Sequence, residues 1–530
     1  MDDQTYIDTA HLLRRAGFGA DPATIKAATA AGLDATTETL LHPEQVPENL
    51  QDDKTLASLA SLLPVPNNGG TPTQAVKMWW VHRMVASQRP LQEKMTLFWH
   101  GHFTSKDGGM QGDLLYRQNQ LFRANALGNF RILTLAVSRD PEMLRYLDGN
   151  SNHKAHPNEN YGRELMELYT CGIGNYTEDD VKAAARAFSG WNLRGGEFRF
   201  NPNEHDNDPK TFLGKTGNWN GDDIVDILVA HPATANRLCT QLWEYFAYPN
   251  PEPQVLAALT QTYFSSGYDV RAVLSRILRS KAFYSEKARF AVIKSPAQYV
   301  VGTVRMLGLS HAVELAVSEI TPANEMAYQP ATTTMPAAPA TPMPTLTAPA
   351  VTPQQAAGRK LAILAGLPGA MRSMGQDLLA PPTVKGWDGG TAWINTSTLL
   401  ARINFANALS GSRQLFGQPT VRLTDYLQQN SLSPENWVDF LIENLGPLPL
   451  SPATRQTLVN FVTAGDAPAG PVVQNAQFVP NPPAPGQFRR GRRGMGGVYN
   501  RLRAVSPGGL EGRLRAVVPM IMATPEYQVC

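Results

Sequence analysis

Four short stretches carry residues whose types and spacing suit chemistry. The first is Phe98-Trp99-His100-Gly101-His102-Phe103. Side chains two apart on an unbroken helix point about 200° from each other, so both imidazoles face one site only if the helix ends between them. Gly101 is the expected break, and Glu93 lies two turns earlier on the face of His100. Imidazoles beside a carboxylate can hold a metal ion or move protons. The plainer reading is a histidine pair at a helix C-terminus, where imidazolium charge is favoured.

The second stretch runs from His153 to Tyr169. Glu159, Arg163 and Glu167, at i, i+4 and i+8, can form an ion-paired ladder on the surface. Asn160 and Glu164 fall on a different face, with Glu167 one turn beyond Glu164. Carboxylates at i and i+3 are the spacing by which helical bundles aim two oxygen ligands, or an acid and a base, into one cavity. The third stretch, Glu204-His205-Asp206-Asn207-Asp208-Pro209-Lys210, sets imidazole next to carboxylate. That pair suits a metal site, and the Asn and Asp around it equally suit an Asx-turn loop or an oxygen-ligand calcium site without EF-hand spacing. In the fourth, Lys385-Gly386-Trp387-Asp388-Gly389-Gly390-Thr391-Ala392-Trp393, two tryptophans in a glycine-rich turn can stack on sugars or pack onto a core.

The elements that must position these groups read as helices. Thr71-Pro72 is a start signal followed by Val76, Trp79, Trp80 and Met84. Pro90 starts a second helix carrying Leu91, Met95 and Phe98. Thr177, followed by Glu178, Asp179 and Asp180, offers a hydroxyl cap and then acid in the positive first turn, and Gly190 stops that helix. Helical periodicity recurs at 224–228, 233–246, 255–264, 270–278, 356–365, 396–408, 434–445 and 452–462. The best strand signal is Glu197–Phe200, one side of a small hairpin.

Composition narrows the class. The chain has 530 residues, 42% hydrophobic and 17% charged, enough apolar content for a large core. Its 47 basic and 45 acidic side chains leave a net charge of +2, which gives no global attraction to nucleic acid or an anionic membrane. Three cysteines form no disulfide framework or zinc spacing, and no apolar run is long enough to span a bilayer. Met1-Asp2-Asp3 is acidic, and no apolar stretch follows Arg14-Arg15, so the start reads as mature cytoplasmic protein and not as an export signal. Residues 330–353 contain 7 Pro, 7 Thr and 6 Ala, the composition of a disordered insertion. The expected organisation is mostly α. Residues 1–329 form a main helical body with the candidate site, 354–465 a second helical part packed on it, 466–509 a flexible Pro/Gly/Arg-rich segment, and 510–530 a C-terminal helix.

These stretches, in this order, resemble a large bacterial family catalogued as domain of unknown function 1800. The resemblance rests on His11-Leu12-Leu13-Arg14-Arg15-Ala16-Gly17-Phe18-Gly19, on the histidine motif, on Asn160 to Thr170 with Gly172, and on Tyr176 to Val181 and Phe188-Ser189-Gly190-Trp191. It continues through His205-Asp206 with Lys210 to Gly214, Lys294-Ser295-Pro296, Gly375-Gln376 and Pro381 to Trp387. It implies a mostly helical fold and, in many members, export and a gene neighbour similar to the sulfatase and alkaline phosphatase superfamily.

The leading expectation is a metal-assisted hydrolase. His100, His102, Glu164, His205 and Asp206 would hold a divalent ion in one pocket, with Glu164 as general base and Arg163 or Lys210 stabilising negative charge. The alternative is a non-catalytic scaffold or polysaccharide-binding module acting beside the hydrolase-like neighbour, with Trp387 and Trp393 as stacking platforms. A third reading makes the six arginines of residues 489–503 a nucleic-acid contact. It ranks last, because nothing else in the chain suits base readout.

Overall fold

The computed structural model describes residues 3–64, 66, 69–106, 112–310, 366–411, 431–464 and 509–530. The insertion expected at 330–353, the helix expected at 356–365, the arginine tract 489–503 and nearly all of the segment 466–509 lie outside these residues. The described residues are mostly helical. Their paired strands are two short antiparallel hairpins, Trp191–Arg194 with Glu197–Phe200 and Lys210–Phe212 with Lys215–Gly217. No helix among the described residues is long and apolar enough to cross a membrane.

The chain divides into two compact units. The first comprises Met1–Ala401, Asn444–Pro447 and Gln528–Cys530, and the second Arg402–Glu443 and Leu448–Tyr527. In the first unit the helices Thr73–Ala86 and Pro90–His102 are buried nearly all round: Trp79, Trp80, Met84, Leu91, Met95 and Trp99 are all within 1% of full burial. A helix enclosed on every side loses the polar stripe of a surface helix, so its polar groups need partners inside the protein. Around this pair the core continues through Phe103, Phe122, Phe130, Leu165, Tyr169, Trp243 and Tyr263.

Local signals set several boundaries. Pro90 occupies the first turn of Pro90–His102, where its missing N–H leaves no bond unmade. Thr177 caps Glu178–Ala187 with a full capping box: its hydroxyl accepts from the Asp180 amide, and the Asp180 carboxylate accepts from the Thr177 amide at 2.8 Å. Thr177→Ala is therefore expected to lower stability by about 1 kcal/mol, read as a shift in urea midpoint; an unchanged midpoint would show the cap to be redundant. At the other end Gly190 has φ +81°, and a Cβ there would lie 2.5 Å from the Asn201 carbonyl oxygen. Only glycine lets the chain turn this tightly and bring the 201–206 loop under the helix end.

In the second unit, Pro434–Asn444 and Pro452–Thr463 accompany Gly509–Met522. Leu514, Val517, Val518, Ile521 and Met522 of the last helix are buried, as its apolar spacing predicts, while Met520 is partly exposed. The Trp437 indole N–H donates to the Leu514 carbonyl at 3.1 Å and ties the first of these helices to the last.

Candidate functional site

The Pro90–His102 helix does not break at Gly101. It runs through both histidines and ends at Phe103, so the two rings diverge. His100 is buried beside Trp80, with ring centroids 5.1 Å apart, and near Trp387, at 5.5 Å. Its Nε2 accepts the Leu379 amide at 3.2 Å, which fixes the neutral tautomer with the proton on Nδ1. Leu379 has φ +59°, a left-handed conformation unfavourable for a branched side chain, and the bond to His100 helps to hold it there. Two more contacts dock the same segment on the helix end: the Thr104 hydroxyl donates to the Val384 carbonyl, and Gly386 approaches so closely that a Cβ would lie 3.0 Å from the Gly101 oxygen. His100 thus joins two stretches 279 residues apart.

His102 faces the other way, among Phe98, Trp99, Phe103 and Tyr169. Its Nε2 lies 3.0 Å from the Tyr169 carbonyl oxygen, so that nitrogen carries the hydrogen and donates it. Glu93, expected as a partner of His100, is fully buried and bound elsewhere. It accepts from Arg83 Nε at 2.9 Å and from Arg123 Nε at 2.6 Å.

The His205 stretch is likewise occupied. His205 is buried with Nδ1 donating to the Ser189 carbonyl at 2.9 Å. Asp206 is paired with Arg186 at 2.6 Å, which outweighs its partial burial and holds its carboxyl below the usual range. Lys210 is enclosed and donates to the Asp206 and Asp208 carbonyls at 2.6 and 2.9 Å, so its ammonium closes a loop and is not free to meet a substrate anion. Arg163, the other candidate for that role, is paired with Glu159 at 2.9 Å and with Glu178 at 2.7 Å; Glu178 takes the place in the ladder expected for Glu167. Among the described residues no group of three or more His, Cys, Asp and Glu is placed to hold a metal ion. The donor atoms named above are bound within the protein, and these residues do not fit the expected metal set.

Trp393 is 8% exposed and packed inward, so it has no free face for a sugar, whereas Trp387 is half-buried at the His100 helix end.

What remains open is Glu164. It is half-buried and has no hydrogen bond or ion pair among the described residues, and its carboxyl is pushed above the ordinary 4.5 by burial and then by the neighbouring Glu167. Glu167 is itself held, accepting from the Tyr176 hydroxyl at 3.0 Å. Asn160, its expected companion, is exposed. Glu164 ends the α-helical turn Asn160–Glu164, and Leu165–Tyr169 continues as a π-helix, a rare wider winding that recurs at functional sites. Tyr146 is close enough for Glu164 to help raise its phenol above 10.0, after burial.

The buried histidines carry a further consequence. Burial holds His11, His82 and His100, and partial burial among aromatic rings holds His102, down to about 2, 4, 3 and 4, so all four are neutral in the folded protein at ordinary pH. Above 6.5 both folded and unfolded chains are uncharged at these rings. Below it the unfolded chain takes up protons that the folded chain refuses, so stability is lost as pH falls from 6.5 to about 4, by up to about 1.4 kcal/mol per pH unit per ring. Asp140, raised to about 6 by burial, acts in the opposite sense and offsets one of the four. The urea midpoint should fall between pH 7 and pH 5; a midpoint that is flat or rises there would contradict the neutral, enclosed rings.

Fold and site together define a mostly helical protein that presents a carboxylate pair at an α-to-π junction. Over residues 11–529 the chain matches the family described as protein of unknown function DUF1800, and it belongs to that family. No curated protein and no solved structure matches it.

Proposed function

We propose that the protein is a hydrolase in which Glu164 is the acid/base group. The observation that carries this reading is the half-buried Glu164 carboxyl, without a hydrogen bond or ion pair among the described residues and with a raised proton affinity. A carboxyl buried without a partner is unfavourable in its charged form, and such groups persist where proton transfer uses them. A raised proton affinity helps one group take a proton from an attacking water and return it to a leaving group. Glu167, anchored by Tyr176, supplies the neighbouring negative charge that helps keep Glu164 basic. The reading is tested by offering chromogenic carboxylic esters, glycosides, and phosphate and sulfate esters to the native protein and to Glu164→Gln. Turnover by the native protein that the variant loses supports the reading; turnover retained in full by the variant overturns it.

A further inference from the structure

The π-helical turn leaves its carbonyls to be satisfied from outside the regular ladder, and the partners are specific. The Leu165 carbonyl accepts from the Thr170 hydroxyl at 2.6 Å, and the Met166 carbonyl from the Gly172 amide at 2.8 Å. These two donors are local. The last two come from far along the chain: Arg237 Nη2, on the helix Pro232–Phe246, reaches the Leu168 carbonyl at 3.0 Å, and His102 Nε2 reaches the Tyr169 carbonyl at 3.0 Å. Both are fitted to the task. His102 is locked in place by stacked and edge-on aromatic rings, and Arg237 lies along Gly172, where φ is +80° and an added Cβ would come within 3.3 Å of the guanidinium.

We propose that His102 and Arg237 are positioning residues for Glu164: by holding the Tyr169 and Leu168 carbonyls they preserve the π winding that sets Glu164 against Glu167, Tyr146 and Tyr169. This rests on the reading of Glu164 as the acid/base group. An α-helix and a π-helix place different numbers of residues in a turn, so relaxation to α winding would rotate everything beyond Leu165 relative to Glu164. The charged and titratable groups that face Glu164 are Glu167 and Arg163 on its own segment, Tyr146 from the helix Pro141–Tyr146, and Tyr169. Two of the four, Glu167 and Tyr169, would change their separation from it. His102 thus acts as a neutral hydrogen-bond donor, and neither as a metal ligand nor as a proton carrier.

The experiment is a carbon-13 NMR titration of the Glu164 side-chain carboxyl in the full-length protein and four variants. His102→Gln and Arg237→Lys keep a donor; His102→Leu and Arg237→Met remove it at similar volume. Thermal unfolding of each is followed in parallel. The expected result is that the two donor-free variants bring Glu164 down toward 4.5, while the donor-retaining variants keep the native value even where their melting temperatures fall. Arg237 is half-buried, so Arg237→Met keeps the test open if His102→Leu fails to fold. An unchanged Glu164 titration in the folded donor-free variants would overturn the proposal alone and leave His102 and Arg237 as plain helix caps. A Glu164 that titrates at the ordinary value in the native protein would overturn the acid/base reading, and the positioning role with it.

Discussion

Glu164→Gln should abolish most turnover while leaving the fold at least as stable as before. General acid/base groups contribute about 10²- to 10⁴-fold to rate, and glutamine keeps the shape of the side chain but cannot exchange the proton. Stability should not suffer, because no hydrogen bond or ion pair of Glu164 among the described residues is broken. The sign of its proton affinity says more. A carboxyl raised in the folded state is favourable below 4.5 and loses that advantage as pH rises through its folded value. At neutral pH the native protein therefore carries a small destabilisation at this position, which glutamine removes. Glu167→Gln should behave differently. It loses the charge that accepts from Tyr176 and lowers the proton affinity of Glu164, so activity declines less and its pH dependence shifts toward acid. Kinetics and urea unfolding of the two variants separate these outcomes; a Glu164→Gln variant that unfolds easily would identify the residue as part of the packing.

Glu93→Gln should produce the largest loss of stability. Glu93 is fully buried between two guanidinium groups, accepting Arg83 Nε at 2.9 Å and Arg123 Nε and Nη2 at 2.6 and 3.0 Å. Arg83 also reaches Asp52 and Glu48, and Arg123 lies over the Trp79 ring at 5.0 Å, so the network clamps three helices around one carboxylate. Breaking one partner of a buried ion pair leaves an uncompensated charge in the interior and typically costs about 3–5 kcal/mol. Burial opposes ionisation of Glu93, but the two arginines win and hold its carboxyl down to about 2. Its contribution is present in full above 4.5 and is lost as pH falls from there through about 2, so its loss begins well below the onset of the histidine effect at 6.5. A urea midpoint unaffected by Glu93→Gln would show that the network contributes nothing.

The sequence was most informative where the cause is local. The Thr177 cap, the stop at Gly190, the start at Pro90 and the strand Glu197–Phe200 are each written within a few neighbouring residues, and each forms as read. Gly101 misled because its helix penalty is only about 1 kcal/mol, while the buried rings of Phe98, Trp99 and Phe103 reward continuing the helix to its end. Once the helix continues, two histidines two positions apart cannot share a site. Glu93 looked available because its partners Arg83 and Arg123 sit on other helices, 10 and 30 residues away. Glu164 was visible from its i and i+3 spacing with Glu167, but the π winding after it was not. Nothing within Leu165–Tyr169 departs from ordinary helical composition, and the donors that stabilise it arrive from positions 102 and 237. The docking of the Trp387 loop on His100 was hidden for the same reason, since it depends on pairing across 279 residues.

The most direct test of the central claim is a site-resolved titration of the Glu164 carboxyl in the native full-length protein, its resonance assigned by its disappearance in Glu164→Gln. An open, half-buried acid/base group beside a second carboxylate should titrate clearly above 4.5, and its midpoint should fall when Glu167 is neutralised. A midpoint at or below that value, unmoved by Glu167→Gln, would mean that Glu164 is an ordinary solvated carboxylate and that the proposed chemistry does not reside there.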